Sequence, residues 1–337
     1  MSILKTKYMG IELKNPVVVG ACNLSADSQH LKKMEEAGAA AVVYKSLFEE
    51  QIQLENLELE QEMESYNERH AEMLQLFPDL EHAGPAEYLY NLGQAVKAVN
   101  IPVFASLNAV YDETWPAWAA KLEAAGVAGI ELNFYHASTS FDESDAEIIN
   151  RRIDIIRQVK NAVKIPVAAK LSPYYSNPLN VIRKMDTAGA DAFVLFNRLF
   201  QPDIDVEREE HIFPYNLSNP DDHRLSLRYT GLLYGNIGGS VISSNGVYDG
   251  RDVARMILAG ADAVQVVSTL YKNGISHIGR ILTDLEAWMN THGYSNLDDF
   301  RGKLSHKTLK DPFAYKRAQY VDILMKSDKI FKNYPVV

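Results

Sequence analysis

One phrase recurs four times along the chain, and this repeat constrains the fold more than any other feature. Each copy is Ala-Gly followed by a short apolar run that ends in polar residues. The copies are AGAAAVVYKS (37–46), AGVAGIELNF (125–134), AGADAFVLFN (188–197) and AGADAVQVVS (259–268). Glycine suits the last turn of a helix because it tolerates a positive φ. The unbroken apolar runs are typical of strands that are buried on both faces of a parallel sheet.

A second set of strand candidates alternates with these four: NPVVVGA (15–21), NIPVFASLN (100–108), KIPVAAKLS (164–172) and GSVISSNG (239–246). The two sets predict eight strands, near 16–20, 40–45, 102–107, 128–133, 166–171, 191–197, 240–244 and 262–267. Helices are predicted between most of them, at 28–37, 114–125, 145–163, 178–188 and 250–259. This alternation predicts a closed (β/α)8 or TIM barrel, formed as a single domain over 1–337. An open doubly wound sheet is the alternative.

Two connections are longer than the repeat requires. Residues 47–98 follow the second strand and begin with an acidic stretch, EEQIQLENLELEQEMES, which we expect to be a solvated cover or a subunit contact. Residues 198–238 follow the sixth strand and are predicted as a polar loop. Loops that follow barrel strands lie at the face where barrel enzymes build their active sites. After residue 275, helices in SHIGRILTDLEAWMNTHG and near 312–330 are expected to cover the outside.

Charge and cysteine content exclude several classes of function. The net charge of −10 and pI near 5.4 argue against a partner that needs a basic face, such as nucleic acid or an anionic membrane. The single cysteine, Cys22, excludes an internal disulfide and a four-thiolate iron–sulfur cluster, and it is typical of a reducing compartment. No apolar run approaches the ~20 residues that span a bilayer, and no signal peptide is recognisable. We expect a cytoplasmic protein that acts on a small molecule.

The predicted strands end in polar residues, which would meet at one mouth of the barrel. A lysine in a buried strand is costly unless it faces a charged partner or a ligand, and two strands end in one: Lys45 and Lys170. The candidate ligand-binding residues at these strand ends are Ala21, Lys45, Ser46, Asn108, Asn133, Lys170 and Asn197.

The ends of the seventh and eighth strands predict a phosphate site. Asn245-Gly246 and Ser268-Thr269 each precede a helical turn, so they offer backbone N–H groups and hydroxyls to an anion. Barrels commonly bind phosphate at this place. Gly238 and Gly239, just before the seventh strand, are expected to let the backbone approach a ligand closely. The sequence therefore predicts a phosphate-bearing cofactor, and no metal site.

Over nearly its whole length the chain resembles the FMN-dependent dihydroorotate dehydrogenases, particularly the class 1 type. The matching segments are KNPVVVGA, YKS, GIELN, AAKLSPYY, FVLFN, GNIGG, SSNGVYDGRDVARMILAGADAVQVVSTLYKNG and THGYSNLDDFRGKL. The resemblance implies FMN as cofactor and a homodimer as the assembly. It also implies hydride transfer from a substrate C–H to flavin N5, with a base removing the neighbouring proton.

The resemblance also implies roles for single residues. Lys170 would lie at the N1/O2 edge of the flavin, where a cation stabilises the anionic reduced ring, and Lys45 beside flavin and substrate. Asn133 and Asn197 would hydrogen-bond the substrate ring. The residues expected to bind the ribityl phosphate are Gly238, Gly239, Asn245, Gly246, Ser268 and Thr269.

The substrate half departs from the family. Where class 1 members continue from GIELN into Leu-Ser-Cys-Pro-Asn, with the cysteine as base, this chain has FYHAS (134–138). His136 aligns with that region and is the candidate base, since its unperturbed pKa is about 6.5; Tyr135 is its neighbour in that role, and a plain loop role for His136 stays open. The family's Asn-, Gly- and Pro-rich substrate loop after the second strand has no counterpart. Arg198 replaces a small hydroxyl residue and would either bind a substrate carboxylate or point to solvent.

Two other functions stay open at this point. One is a phosphate-binding barrel lyase or aldolase in which Lys45 or Lys170 forms a Schiff base. The other is a flavin-binding subunit of a larger redox complex, without catalysis of its own, whose docking surface is the acidic connection at 47–98. Because this chain cannot ligate an iron–sulfur cluster by four thiolates, any such centre would belong to a separate electron-transfer subunit.

Overall fold

Eight parallel strands form the centre of the protein. The computed structural model describes residues 3–53, 84–135, 140–214 and 216–326, so most of the acidic connection and His136 lie outside the described residues. The barrel strands are β1 (Val17–Val19), β2 (Ala41–Val43), β3 (Val103–Asn108), β4 (Gly129–Asn133), β5 (Val167–Leu171), β6 (Ala192–Leu195), β7 (Ser240–Ser243) and β8 (Ala263–Val266).

The sheet closes on itself. Each strand pairs in parallel with the next, and β8 pairs with β1 through Val264 opposite Val17. A short strand, Leu47–Phe48, extends the pairing of β3 at its end. The closed barrel predicted from the repeat is confirmed. The doubly wound alternative is wrong, because an open sheet has two edge strands with one neighbour each, whereas each of the eight strands here has two.

The helices lie around this ring, and the first seven each follow the strand of the same number. They are α1 (Ser28–Glu36), α2 (Pro85–Ala98), α3 (Thr114–Ala124), α4 (Asp145–Ala162), α5 (Pro178–Thr187), α6 (His223–Leu233) and α7 (Gly250–Ala259), followed by α8 (Ser268–Asn273), α9 (His277–His292) and α10 (Arg317–Met325). The five inter-strand helices predicted from sequence agree with these to within one residue at either end. Local signals explain this agreement: α7, for example, begins at the capping box of Asp249 and Asp252 and ends at Gly260 with φ +119°.

The long connection after β6 contains more structure than predicted. It holds a hairpin of Asp203–Asp205 with Glu210–Ile212, and then α6. The expectation of a polar loop over 198–238 is wrong because the buried positions of α6 are mostly polar or small. Those positions are His223, Ser226, Thr230, Gly231 and Leu233, which give no apolar periodicity to detect.

The inside of the barrel has an apolar lower half. Alternate residues of each strand point inward, and near the strand starts these are apolar, Phe104 and Ile242 among them. An N-terminal hairpin, Thr6–Tyr8 with Ile11–Leu13, lies against this cluster and buries Tyr8, Met9 and Leu13 in it. Lys170, Glu131 and Gln265 lie above this cluster, toward the end where the strands finish.

Candidate active site

A cavity of about 340 Å³ opens at the C-terminal ends of the strands. Its wall comes from the ends of six strands and from the connection after β6. The sequence candidates that line it are Ala21, Lys45, Ser46, Lys170, Asn197, Arg198, Asn245 and Ser268. Residues more than 220 positions apart in the chain thus meet at the mouth where they were expected.

The floor of the cavity is a buried charged network. The Lys170 Nζ lies 3.2 Å from Glu131 Oε1 and donates to Gln265 Oε1 at 3.3 Å. The Gln265 Nε2 in turn donates to Glu131 Oε2 at 2.5 Å. The exposed fraction of Glu131 is 2% and that of Lys170 is 9%. An ammonium has three N–H donors, and the one hydrogen bond of Lys170 Nζ within the described residues, to Gln265, leaves donors for the cavity that Lys170 lines.

Gly20, at the end of β1, leaves room above this network. A Cβ at this position would lie 2.8 Å from the Val267 Cγ2 and 3.1 Å from the Gln265 Oε1. Any larger residue would therefore displace the glutamine that joins Lys170 to Glu131. The glycine keeps the floor intact and the mouth open.

Three amides lie together at the ends of β3, β4 and β6. The Asn108 Nδ2 donates to the Asn133 backbone oxygen at 3.1 Å, and the Asn197 Nδ2 donates to the Asn133 Oδ1 at 2.5 Å. Nearby, Ser46 and Ser106 share a hydrogen bond of 2.8 Å between their hydroxyls. These bonds fix the orientation of the amides, as a site that recognises a polar ring requires.

Lys45 differs from Lys170 in its partners. Its backbone oxygen accepts a hydrogen bond from the Tyr88 hydroxyl at 2.6 Å, and its side chain lines the cavity. Within the part of the chain that the structure describes, the Lys45 ammonium makes no hydrogen bond or ion pair. It therefore provides a positive charge at the mouth that a ligand can meet.

The turn after β7 comes together with the end of β8. Asn245 and Gly246 have φ of +70° and +66°, and the Asn245 Nδ2 donates to the Phe196 backbone oxygen at 2.9 Å. The Gly246 N–H donates to the Ser218 hydroxyl at 3.2 Å, and the Ser218 N–H donates to the Ser268 hydroxyl at 2.9 Å. Gly246, Ser218 and Ser268 thus form one hydrogen-bonded cluster, and phosphate binding there stays a prediction.

Two further residues complete this side. Thr269 is fully buried behind Ser268 and accepts a hydrogen bond from the Asn273 side chain, so its side chain is part of the support rather than of the cavity wall. The Lys272 Nζ donates to the Ser218 backbone oxygen at 3.0 Å. Its charge makes the cluster more attractive to an anion.

Gly238 and Gly239 do not belong to this site. They directly precede β7, so they lie at the N-terminal end of a parallel barrel, opposite the mouth. Their N–H groups donate to the Asp186 carboxylate, that of Gly239 at 2.7 Å. The prediction that they bind the cofactor is corrected, because residues before a barrel strand and residues after it lie at opposite faces.

The Arg198 guanidinium is bonded to residues of the connection after β6. Its Nε and Nη2 donate to the Asn216 backbone and side-chain oxygens at 2.5 and 2.6 Å, and its Nη1 lies 2.8 Å from Asp222 Oδ2. These bonds use three of the five N–H donors of the guanidinium, and the side chain, 27% exposed, also lines the cavity. Binding of a substrate carboxylate by Arg198 stays a prediction. Arg198 ties the segment 216–222 to the rim of the cavity.

The candidate bases lie after β4. The Tyr135 hydroxyl accepts a hydrogen bond from the Phe200 N–H at 3.1 Å, at the rim of the mouth, and 37% of the residue is exposed. His136 lies outside the described residues. Cys22 lines the same cavity, and burial raises the pKa of its thiol while hydrogen bonds with Ser25 lower it less. Cys22 is therefore protonated at neutral pH.

Several site residues were missed from the sequence. Glu131 and Gln265 were available as signals, because each is a polar residue inside an apolar strand, in the runs GIELN and AVQVV. Their alternation places them on the inward face with Lys170. Ser218 and Asn216 carried no such signal, since they lie in a polar connection where every neighbour is of the same kind.

Together the fold and the mouth define a barrel enzyme that holds a phosphate-bearing cofactor: a fixed cation at one end of the cavity and an amide and hydroxyl cluster at the other. Residues 3–289 match the protein family described as dihydroorotate dehydrogenase. The chain belongs to the dihydroorotate dehydrogenase family.

Curated relatives match over similar lengths. The catalytic subunit of dihydroorotate dehydrogenase B (NAD(+)) from Thermoplasma volcanium is 29% identical over 316 residues, which are 90% of this chain and 98% of the relative. The protein of the same description from Methanocaldococcus jannaschii is 27% identical over 297 residues, 85% of this chain and 94% of the relative. That from a Geobacter species is 30% identical over 220 residues, 62% of this chain and 70% of the relative.

Family membership makes this chain an FMN-dependent oxidoreductase, and the residues present fit that cofactor. Lys170 lines the cavity as a cation, and two of the residues predicted to bind the phosphate, Asn245 and Ser268, line the same cavity. Among the helices of the described ranges, none is long and apolar enough to cross a membrane.

Proposed function

We propose that this chain catalyses the dihydroorotate dehydrogenase reaction, or the same oxidation of a related dihydropyrimidine or small acid. The observation that carries the proposal is the cavity itself. It is lined by Lys170, which is paired with Glu131, by Lys45, whose ammonium has no partner among the described residues, and by Asn197, whose side chain is bonded to that of Asn133. A cyclic substrate with a carboxylate and ring amides matches those groups in charge and in hydrogen bonding.

The cofactor supplies the redox chemistry, since a bound flavin accepts a hydride from a C–H bond. The chain's own residues bind and orient the substrate and the cofactor. Lys170 holds a positive charge where negative charge develops, and a preorganised charge of this kind lowers the barrier without reorganisation. Lys45 and the amides of Asn133 and Asn197 hold the substrate, and the Ser268 cluster holds the phosphate.

His136 is the proposed proton acceptor. It aligns with the region that carries the family's cysteine base, and an unperturbed histidine, with a pKa of about 6.5, is mostly neutral at pH 7 and so able to accept a proton. Tyr135 is less suited, because its hydroxyl is bonded to the Phe200 backbone. In a stopped-flow experiment, His136→Gln should slow flavin reduction, whereas Tyr135→Phe should leave it nearly unchanged. Unchanged reduction in His136→Gln would return His136 to an ordinary loop role.

The alternative of a Schiff-base lyase is less well supported. A Schiff base needs a neutral amine, and the Lys170 ammonium is paired with Glu131. Lys45 remains the sole candidate of the two for that chemistry. Borohydride treatment in the presence of a carbonyl substrate would trap such an adduct on Lys45, and a colourless protein that is trapped in this way would favour the lyase.

A separate electron-transfer subunit is part of the proposal. The relatives named above are described as catalytic subunits, which supports a partner for this chain, and Cys22 alone cannot hold an iron–sulfur cluster. We propose a homodimer of this chain as the core of that assembly, acting in the cytoplasm. Native mass spectrometry of protein purified from its own host would give both stoichiometries.

The substrate is tested by anaerobic flavin bleaching. The purified protein should be yellow and release FMN on denaturation, and dihydroorotate should bleach the visible absorption band of the flavin. Orotate, which carries no hydride to give, is the matched control and should leave the absorbance in place. Absence of bleaching at saturating dihydroorotate would exclude this substrate but not the cofactor, and related dihydropyrimidines would then be screened in the same way.

A further inference from the structure

Glu131 is a buried carboxylate that the proposed reaction does not use directly. It lies below Lys170, away from the cavity wall, and is 2% exposed. Its Oε2 accepts from Gln265, while its Oε1 has no hydrogen-bond donor in the described residues and faces the ammonium at 3.2 Å. Burial of a carboxylate costs free energy unless the charge is paired, and its partner here is the Lys170 ammonium.

Glu131 is the counter-ion of Lys170, as a comparison of the charged and titratable groups around the ammonium shows. Within the described ranges it is the one carboxylate in ion-pair distance of Lys170 Nζ. The strand on the other side contributes the neutral Gln265. The remaining titratable groups that line the cavity are Lys45, Cys22, Arg198 and Tyr271, and Tyr8 lies below Glu131 in the barrel floor. Arg198 is paired with Asp222 instead.

Burial disfavours a charged lysine, and a neighbouring carboxylate restores it. Lys170 is 9% exposed at the cavity, and a ligand bound there would bury it further, so the balance between these two effects would decide whether Nζ carries a proton. Gln265 contacts both partners and fixes the distance between them.

We propose that Glu131, with Gln265, is a positioning residue that holds Lys170 protonated and immobile under the oxidised flavin. The proposal rests on the proposed placement of FMN beside Lys170. Because the lysine already carries its proton, reduction of the flavin by two electrons takes up one proton, at the flavin. Without the Glu131 charge, Lys170 is neutral in the dry oxidised site, and the negative charge of the reduced ring then draws a second proton onto Nζ.

The difference is measurable as a slope of potential against pH. For a two-electron couple each proton taken up shifts the midpoint potential by about 30 mV per pH unit. Wild-type holoenzyme, titrated with dithionite and redox dyes between pH 7 and 9, should follow the one-proton slope. Glu131→Gln should follow about twice that slope, because 2 × 30 mV corresponds to two protons per two electrons.

Two variants identify the group that takes the second proton. In the double variant Glu131→Gln/Lys170→Met the slope should return to one proton, since Nζ is gone. Glu12→Gln, which removes an exposed carboxylate whose side chain is 76% accessible, is the control and should match wild type. If Glu131→Gln fails to retain FMN, Gln265→Leu is tested in its place. This variant loses the hydrogen bonds of Gln265 to Lys170 and Glu131. We expect its potential to change from the one-proton to the two-proton slope at a lower pH than that of wild type.

A one-proton slope in Glu131→Gln would overturn the proposal, as would a two-proton slope that persists in the double variant. A wild-type slope in Gln265→Leu would overturn the part assigned to Gln265. Sulfite binding to the oxidised flavin tests the placement separately: Lys170→Met should weaken it at least tenfold, because the adduct is anionic. Unchanged sulfite affinity would remove Lys170 from the flavin, and with it both the placement and this proposal.

Discussion

At the scale of single residues, the mouth depends on a glycine that no other residue can replace. Gly246 has φ +66°, and a Cβ there would lie 2.5 Å from the His223 N and 2.9 Å from the Asn219 oxygen. These are backbone atoms, which cannot move aside as a side chain can. The position therefore combines a left-handed conformation with close packing of the segment that carries Ser218.

Gly246→Ala should lower the free energy of unfolding by more than the conformation alone explains. A left-handed L-residue costs about 1–2 kcal/mol, and the overlap with His223 adds to this and displaces the phosphate cluster. We expect a loss above ~2 kcal/mol in urea unfolding together with release of FMN on gel filtration. Gly10→Ala is the matched control, with φ +78° and nothing within 4 Å of its Cβ. Equal losses in the two variants would contradict the packing argument.

At the scale of elements, the connection after β6 is held over the mouth by one side chain. Arg198 makes three of its hydrogen bonds to Asn216 and Asp222, in the segment that also contains Ser218. The resemblance to the family implied a substrate role for this position. Because these bonds hold 216–222 in place, we expect Arg198 to affect ligands at least in part through the order of that segment.

Arg198→Ala should loosen this segment and weaken FMN binding. Hydrogen bonds to charged groups contribute about 1.5–3 kcal/mol, and 1.4 kcal/mol is a factor of ten in affinity. We therefore expect faster hydrogen exchange in 216–222 and an FMN Kd raised by roughly tenfold or more. Arg208→Ala, which removes an exposed arginine of the same connection, should change neither. A higher KM with unchanged exchange would instead support the substrate role.

The strands and helices also differ in how far the sequence predicts them. Strand and helix bounds follow from local signals, such as the Ala-Gly phrase and the capping box at Asp249, so they were predicted closely. The helix α6 was missed because its buried face is polar. Gly238 and Gly239 were misplaced although the order of the chain was sufficient, since residues that precede β7 lie at the N-terminal end of the barrel. The link between Glu131 and Gln265 spans 134 positions, and only pairing of the strands reveals it.

At the scale of the whole molecule, the hairpin at the barrel floor and the charged network at its mouth are neighbours. Tyr8 is 1% exposed and packs edge-on against Phe104 at a ring distance of 5.8 Å. Burial raises its pKa well above the ordinary value, and the negative charges of Glu131 and Asp262 raise it further. The closed lower end of the barrel therefore depends on a phenol that must keep its proton.

The raised pKa of the buried Tyr8 phenol predicts that the protein loses stability at alkaline pH. A native-state pKa above that of the unfolded chain means that the folded protein binds the proton more tightly. Protonated Tyr8 therefore contributes fully to the free energy of unfolding below about pH 10, the unperturbed tyrosine pKa, and this contribution is lost as the pH rises above that value. The free energy of unfolding of wild type, measured in urea from pH 8 to 11, should fall more steeply above pH ~10 than that of Tyr8→Phe. Tyr90→Phe, at a site 65% exposed, should keep the wild-type slope. An equally steep fall in Tyr8→Phe would assign the alkaline transition to another group.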